Sequence, residues 1–259
     1  MKICAYCELS CSPTKEHIFP NSIIRKYESS LKTYNKKTSS FYIGDPVIKD
    51  VCSQCNNTKL SKLDAYLSSL YDQFLSLPLS SGQSTEIEYD YNLLLRSLLK
   101  ISYNSSRCFE NPKIVKAHSR YRNYILDGGF CSNIMLRLQV VTSARMIINS
   151  ELSDDLFDPI LLRCADIPYD GKLSDKFIIR LVAINSFWFY IIISVEPEFQ
   201  YRWKEFVQAF SSWKIQSGIK LTPSYNKRTL TTKLKIPVDQ TTYMHPALLG
   251  SLMNAMQNT

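Results

Sequence analysis

Cys4-Ala-Tyr-Cys7, Thr14-Lys-Glu-His-Ile-Phe-Pro20, Val51-Cys-Ser-Gln-Cys-Asn-Asn57 and Leu63-Asp64 follow one another at the start of this 259-residue chain. Zn²⁺ takes four soft ligands in a tetrahedron, and two CxxC pairs supply four thiolates in short turns that each clamp one edge of the ion. Cys4, Cys7, Cys52 and Cys55 are therefore the expected zinc ligands. Cys11 lies near the first pair and could replace one of them, whereas Cys108, Cys131 and Cys164 stand alone and read as buried thiols.

Taken in order, CxxC, EHxxP, CxxCN and a following acidic residue resemble the HNH nuclease family over residues 1–66. A lone Glu-His pair carries no such meaning; its enclosure by paired knuckles does. The resemblance implies a small zinc-stapled ββα-metal domain and a metal-dependent endonuclease that hydrolyses DNA phosphodiester bonds. Such hydrolysis needs a base to activate water and a cation to stabilise charge on the phosphorane and the departing oxygen. His17 is then the general base, since an imidazole can accept a proton at neutral pH without special tuning. Glu16 and Asn56 offer the oxygens that a hard ion such as Mg²⁺ prefers to sulfur, and Asp64 braces the site. The middle asparagine that commonly orients the base in this family has no clear counterpart; Asp45 and Asp50 lie in the right region. Each residue also has a plainer reading. His17 could be structural or a zinc ligand, Glu16 could orient His17 or a lysine, and Asn56 could cap the helix it opens.

Forty-five per cent hydrophobic content and only seven glycines fit a folded globular chain and argue against a fibrous repeat. The length suits two domains. Met1-Lys2 leads straight into the first knuckle with no apolar signal region, so we expect a cytoplasmic protein. In that setting the eight cysteines fit metal thiolates better than disulfides. The apolar run 187–195 is too short to cross a bilayer.

Charge is uneven along the chain. Residues 1–64 carry ten Lys/Arg against six Asp/Glu, 65–201 thirteen against fifteen, and 202–259 eight against two. Basic ends suit a DNA ligand, because phosphate neutralisation supplies most non-specific affinity. Lys36 and Lys37 in the first domain, and Lys227, Arg228, Lys233 and Lys235 near the C-terminus, are the candidate phosphate contacts. Trp203, Phe206 and Phe210 interleave with basic residues but keep helical spacing, which favours core packing over base stacking.

The chain reads as α+β: the HNH domain over 1–78, then a larger mixed α+β domain over 86–259 that binds DNA or senses a signal. Strand-like pieces at 41–43 and 46–51 precede a helix over 56–75 with Leu60, Leu63, Leu67 and Leu70 at three- and four-residue spacing. Residues 32–40 read as a loop, 23–31 as a short helix, and 79–85 as a hinge. Beyond come a helix over 91–103, a hairpin turning at Asn185-Ser186, a helix over 199–210 and a last helix after Pro246. His118 and His245 have no partners at ligand spacing. By analogy with the family, the setting is bacterial phage defence or restriction. The rival readings are a non-catalytic zinc module that binds nucleic acid, and a nuclease subunit regulated by a partner such as an ATPase. If the basic C-terminal segment faces DNA, neutralising Lys227, Arg228, Lys233 and Lys235 lowers the slope of log K against log salt by about 0.9 per lost phosphate contact; an unchanged slope in a filter-binding titration removes that segment from the interface.

Overall fold

A computed structural model describes residues 1–27, 32–35, 40–80, 84–109, 111–148, 151–212, 218–223 and 230–235. Within them, Met1–Tyr71 and Asn92–Ser132 form one compact unit, and Asp72–Tyr91 with the residues from Asn133 onward form a second. Both units mix helices and strands. Among the described residues no helix is long and apolar enough to cross a membrane. Lys36, Lys37, Lys227 and Arg228, His245 and the helix expected after Pro246 lie outside the described residues. So do the side chains of Lys233 and Lys235.

The first unit opens with β1 (Lys2–Ile3), which pairs with β2 (Ser10–Cys11) around the first knuckle. β3 (Pro13–His17) follows, and Pro20 then leads into one helical turn, α1 (Asn21–Ile24). The sequence pointed to a longer helix here; its last residues fall outside those described. β4 (Lys32–Asn35), where a loop was expected, pairs antiparallel with β5 (Ser40–Ile43), which covers the strand-like piece at 41–43; their Thr, Tyr, Phe and Ile favour extended backbone. β6 (Val47–Cys52) pairs with β3, not with its neighbour in sequence, matching Thr14 to Val51 and His17 to Val47 with a register shift between Thr14 and Glu16. The strand-like pieces expected at 41–43 and 46–51 are β5 and β6, but β6 pairs with β3 and β5 with β4.

That helix spans residues 53–75, with wide π turns at Cys55–Leu60 and Tyr71–Leu75 around α2 (Ser61–Leu70). Its Leu60, Leu63, Leu67 and Leu70 are buried, as their spacing predicts. The sequence places the helix near residue 91 in the second domain, whereas all but its first residue belongs to the first unit. This is α3 (Tyr91–Cys108), followed by α4 (Pro112–Ser119) and α5 (Arg122–Asp127). Knuckles and two-stranded hairpins enclose too little apolar surface to fold alone. α3 supplies it: Leu94, Leu95, Leu98, Leu99 and Ile101 are all buried, and so are Ser97, Lys100 and Asn104 on its other faces.

In the second unit β7 (Ser84–Tyr89) pairs with β15 (Leu230–Lys235), and β9 (Ala144–Ile148) with β10 (Glu151–Phe157). Its main sheet has the order β11 (Leu162–Asp166), β12 (Phe177–Ile184), β13 (Phe187–Ser194), β8 (Ile134–Val140), β14 (Ile219–Leu221), antiparallel throughout. β12 and β13 meet in register from Ile184–Phe187 to Phe177–Ser194, and Asn185 turns the hairpin at φ 48°. Helix α6 (Gln200–Ser212) packs Phe206 and Phe210 onto the face that carries Phe177, Ile179, Leu181, Tyr190 and Ile192. Phe177 stacks on Phe206 at 4.3 Å, and Trp203 meets Phe177 edge-on at 4.8 Å. These three α6 aromatics are core residues. Phe206→Ala should cost about 3–5 kcal/mol, read as a lower urea midpoint for tryptophan fluorescence, since Trp188 and Trp203 both belong to the second unit.

Candidate metal centre and histidine site

The first knuckle is a tight turn in which Cys4 N–H donates to Leu9 O at 2.9 Å and Glu8 N–H to Cys4 O at 3.0 Å, with Glu8 at φ 60°. Ala5 N–H donates to Asp50 O at 2.8 Å, which ties the knuckle to β6. Cys52 ends that strand and Cys55 opens the helix. The sulfurs of Cys4, Cys7, Cys52 and Cys55 consequently lie within 4.8 Å of one another, and among the described residues this is the one such group of His, Cys, Asp or Glu able to hold a metal. Cys7 and Cys52 sulfurs are 3.7 Å apart. A tetrahedral zinc with bonds of about 2.3 Å has sulfur–sulfur edges of about 3.8 Å, so the thiolate set fits zinc in chemistry and in size. Backbone N–H groups of Cys52 and Cys55 point at the sulfurs of Cys4 and Cys52, both at 3.4 Å. Burial acts to raise the Cys4 thiol, but N–H bonds from Cys52, Cys7 and Tyr6 outweigh it and bring its pKa down to about 7. Cys11 is not one of the four.

Tyr6, inside the first knuckle, points into the unit and donates to Asn104 Oδ1 at 2.6 Å. It meets Tyr103 edge-on at 5.3 Å, and Tyr103 donates to Ala5 O at 3.1 Å. Arg107 lies over both rings and donates from Nε to Asp50 at 2.9 Å. Thus α3 docks the knuckle through Tyr103, Asn104 and Arg107.

The Glu-His pair is split by strand geometry. Successive strand residues face opposite sides, so Glu16 is 3 % exposed whereas the His17 side chain is 35 % exposed. His17 Nδ1 bonds to Asp45 Oδ2. A carboxylate can only accept, so Nδ1 carries the hydrogen and the Nε2 lone pair is left for proton transfer. The bond to Asp45 is the main cause of a His17 pKa above its usual value; partial burial opposes it, and the charges of Asp45 and Glu16 add to it. Asp45 is thus the partner of the His17 ring, and Asp50 instead pairs with Arg107. His17 O accepts from Asn104 Nδ2 at 3.3 Å, so the residue is held at its backbone as well as at its ring.

Glu16 turns inward to Lys100, whose ammonium lies 2.5 Å from Glu16 Oε1 and 2.6 Å from Asp64 Oδ1. Burial alone would lower the Lys100 pKa, but the two carboxylates outweigh it and hold the ammonium charged. Asn104 Nδ2 adds a bond to Glu16 Oε1 at 3.2 Å. Asn56 does not cap the helix, which begins before it; its amide donates to Thr14 Oγ1 and to Lys15 O, both at 2.9 Å. Oδ1 is its remaining polar atom, beside β3. Of the two groups the sequence assigns to a divalent ion, the Glu16 carboxylate is enclosed with Lys100 and Asn104, whereas Asn56 lies against Thr14 and Lys15. Asp64 contacts the ammonium of Lys100 from α2. His118 is a fully buried residue of α4 stacked on Tyr103.

Lys100, Asn104 and Arg107 were not singled out from sequence. Their signal was there: polar residues spaced by four and three on an otherwise leucine-rich helix form one stripe. No family model, curated protein or solved structure matches the chain. Metal analysis of the purified protein should find one zinc per chain. Cys52→Ser/Cys55→Ser should lose it and, because structural zinc supplies folding free energy of about 10–16 kcal/mol in small zinc domains, lose the first unit's cooperative unfolding as well; retention of metal by the variant would discard the four-sulfur site.

Proposed function

We propose that this protein is an HNH-type endonuclease that hydrolyses DNA phosphodiester bonds with His17 as its general base. The observation that carries the reading is the pairing of a half-exposed His17 with Asp45, on a strand pair whose end and following helix supply two of the four clustered cysteines, Cys52 and Cys55. Asp45 fixes the tautomer, so Nε2 takes a proton from water as the water oxygen attacks phosphorus; the bond from phosphorus to one sugar oxygen breaks, and that oxygen leaves as an alcohol on taking a proton from solvent. Asn104 fixes the strand carbonyl behind it, so the ring is aimed by two groups from different elements. A divalent ion beside Asn56 would supply charge stabilisation on the phosphate; Mg²⁺ is the expected ion because an amide oxygen is a hard donor. Bacterial phage defence or restriction is the setting we favour, on the family resemblance alone.

The non-catalytic zinc module remains the second reading, favoured by the closure of Lys100 over Glu16. Cleavage separates the two. His17→Ala should leave zinc content and DNA affinity unchanged while reducing nicking of supercoiled plasmid by roughly 10²–10⁴; full activity in the folded variant would discard the hydrolase.

The pH profile tests the pairing. The base works as neutral imidazole, so activity rises as pH climbs through the His17 pKa, and Asp45 displaces that limb above the ordinary value of about 6.5. Asp45→Asn should move the acid limb of kcat/KM to lower pH and reduce the plateau. A limb that stays in place would show that His17 is not the titrating base.

A further inference from the structure

Between Glu16 and Asp64 there is one cation, and it belongs to the protein. Lys100 Nζ touches Glu16 Oε1 at 2.5 Å and Asp64 Oδ1 at 2.6 Å, with the Lys100 side chain 1 % and the Glu16 side chain 4 % exposed. Asn104, one helical turn further along α3, donates to the same Glu16 oxygen at 3.2 Å. Glu16 Oε1 therefore already has an ammonium and an amide against it, in a place that water scarcely reaches.

We propose that Lys100 is the resident cation of the Glu16–Asp64 pair, a positioning residue that ties β3 to α2 and α3 and keeps divalent cations off Glu16. The argument is one of charge and space. A divalent ion on Glu16 would sit within a few ångströms of the ammonium and repel it, and the burial of Lys100 and Glu16 removes most of the water that would screen that repulsion. The ammonium cannot simply swing out, because Asp64 holds it from the neighbouring helix and its stem lies in the interior of α3's surroundings. Lysine reaches this place as a compact charge with three donors, two of which the carboxylates use. Glu16 thereby takes a role different from the ion-binding one its sequence context suggests. Any divalent ion the protein uses is held without it.

Mn²⁺ is the probe, added to the zinc-loaded full-length chain, with bound ion read from loss of the free-ion EPR signal. No DNA is present, so the result is separate from whether the protein cleaves. The native chain and Glu16→Gln should bind Mn²⁺ alike. Lys100→Met should gain one Mn²⁺ per chain on the vacated carboxylates, and Lys100→Met/Glu16→Gln should lose it again, a readout that loss of packing alone would not produce. A fall in Mn²⁺ affinity of about 10–100-fold on Glu16→Gln, the usual size of effect for disturbing a metal site, would overturn the proposal. So would a folded Lys100→Met that binds no additional ion. Lys100→Met leaves the buried Glu16 carboxylate unmatched and can fail to fold; the comparison of the native chain with Glu16→Gln decides the matter without it.

Discussion

A buried ammonium must be matched where it stands, and in the first unit that requirement fixes three elements at once. Lys100 comes from α3, Glu16 from β3 and Asp64 from α2. Removing the Glu16 carboxylate leaves the buried ammonium with the part-exposed Asp64 alone, and breaking a buried ion pair costs about 3–5 kcal/mol in general. Replacing all three groups by apolar ones could be neutral, so the triad is better understood as specifying register than as adding stability. A slip of β3 by one residue would carry Glu16 to solvent and His17 into the interior. The ion triad makes that slip costly. It thereby decides which of two adjacent polar side chains is available for chemistry.

The four cysteines act on the same elements from the other end. They join the loop before β2 to the end of β6 and the first turn of the following helix, while Tyr6 carries the knuckle's position to Asn104. Asn104 spends its whole amide on this link: Oδ1 accepts from Tyr6 and Arg107, and Nδ2 donates to Glu16 and to the His17 carbonyl. A buried amide with all its bonds satisfied is rigid, since any rotation would leave polar atoms unpaired. Metal cluster and histidine strand are in this way connected through one side chain of α3.

What could be read from the sequence was what depends on near neighbours. The CxxC spacing gave the sulfur cluster, the leucine period gave the helix after Cys55, and Asn185-Ser186 between two apolar runs gave the hairpin of the second unit. What could not be read depends on distant pairing. Pro13-Thr-Lys-Glu-His17 has no apolar alternation to mark it as a strand, because its partner strand and α3, rather than its own side chains, hold it in place. Asp45 lies 28 residues from His17, and Asn104 lies 87 from it. Lys100 was passed over because lysine on a helix is ordinarily solvated, and only the carboxylates brought to it by folding make its burial tolerable.

The Glu-His pair shows how far a family resemblance can be carried residue by residue. If both side chains served one ion and one activated water, they would have to converge on the same side of β3, whereas consecutive strand residues diverge. The register shift between Thr14 and Glu16 precedes the pair and leaves that divergence intact. His17 does not need Glu16 to be aimed: its ring is bonded to Asp45, in the turn before Pro46, and its carbonyl to Asn104. Orientation thus comes from a loop on one side and a helix on the other. Within the proposed hydrolase, His17 and Asp45 then do the proton chemistry. Glu16, one residue away, acts on it only by keeping the strand where the histidine can work.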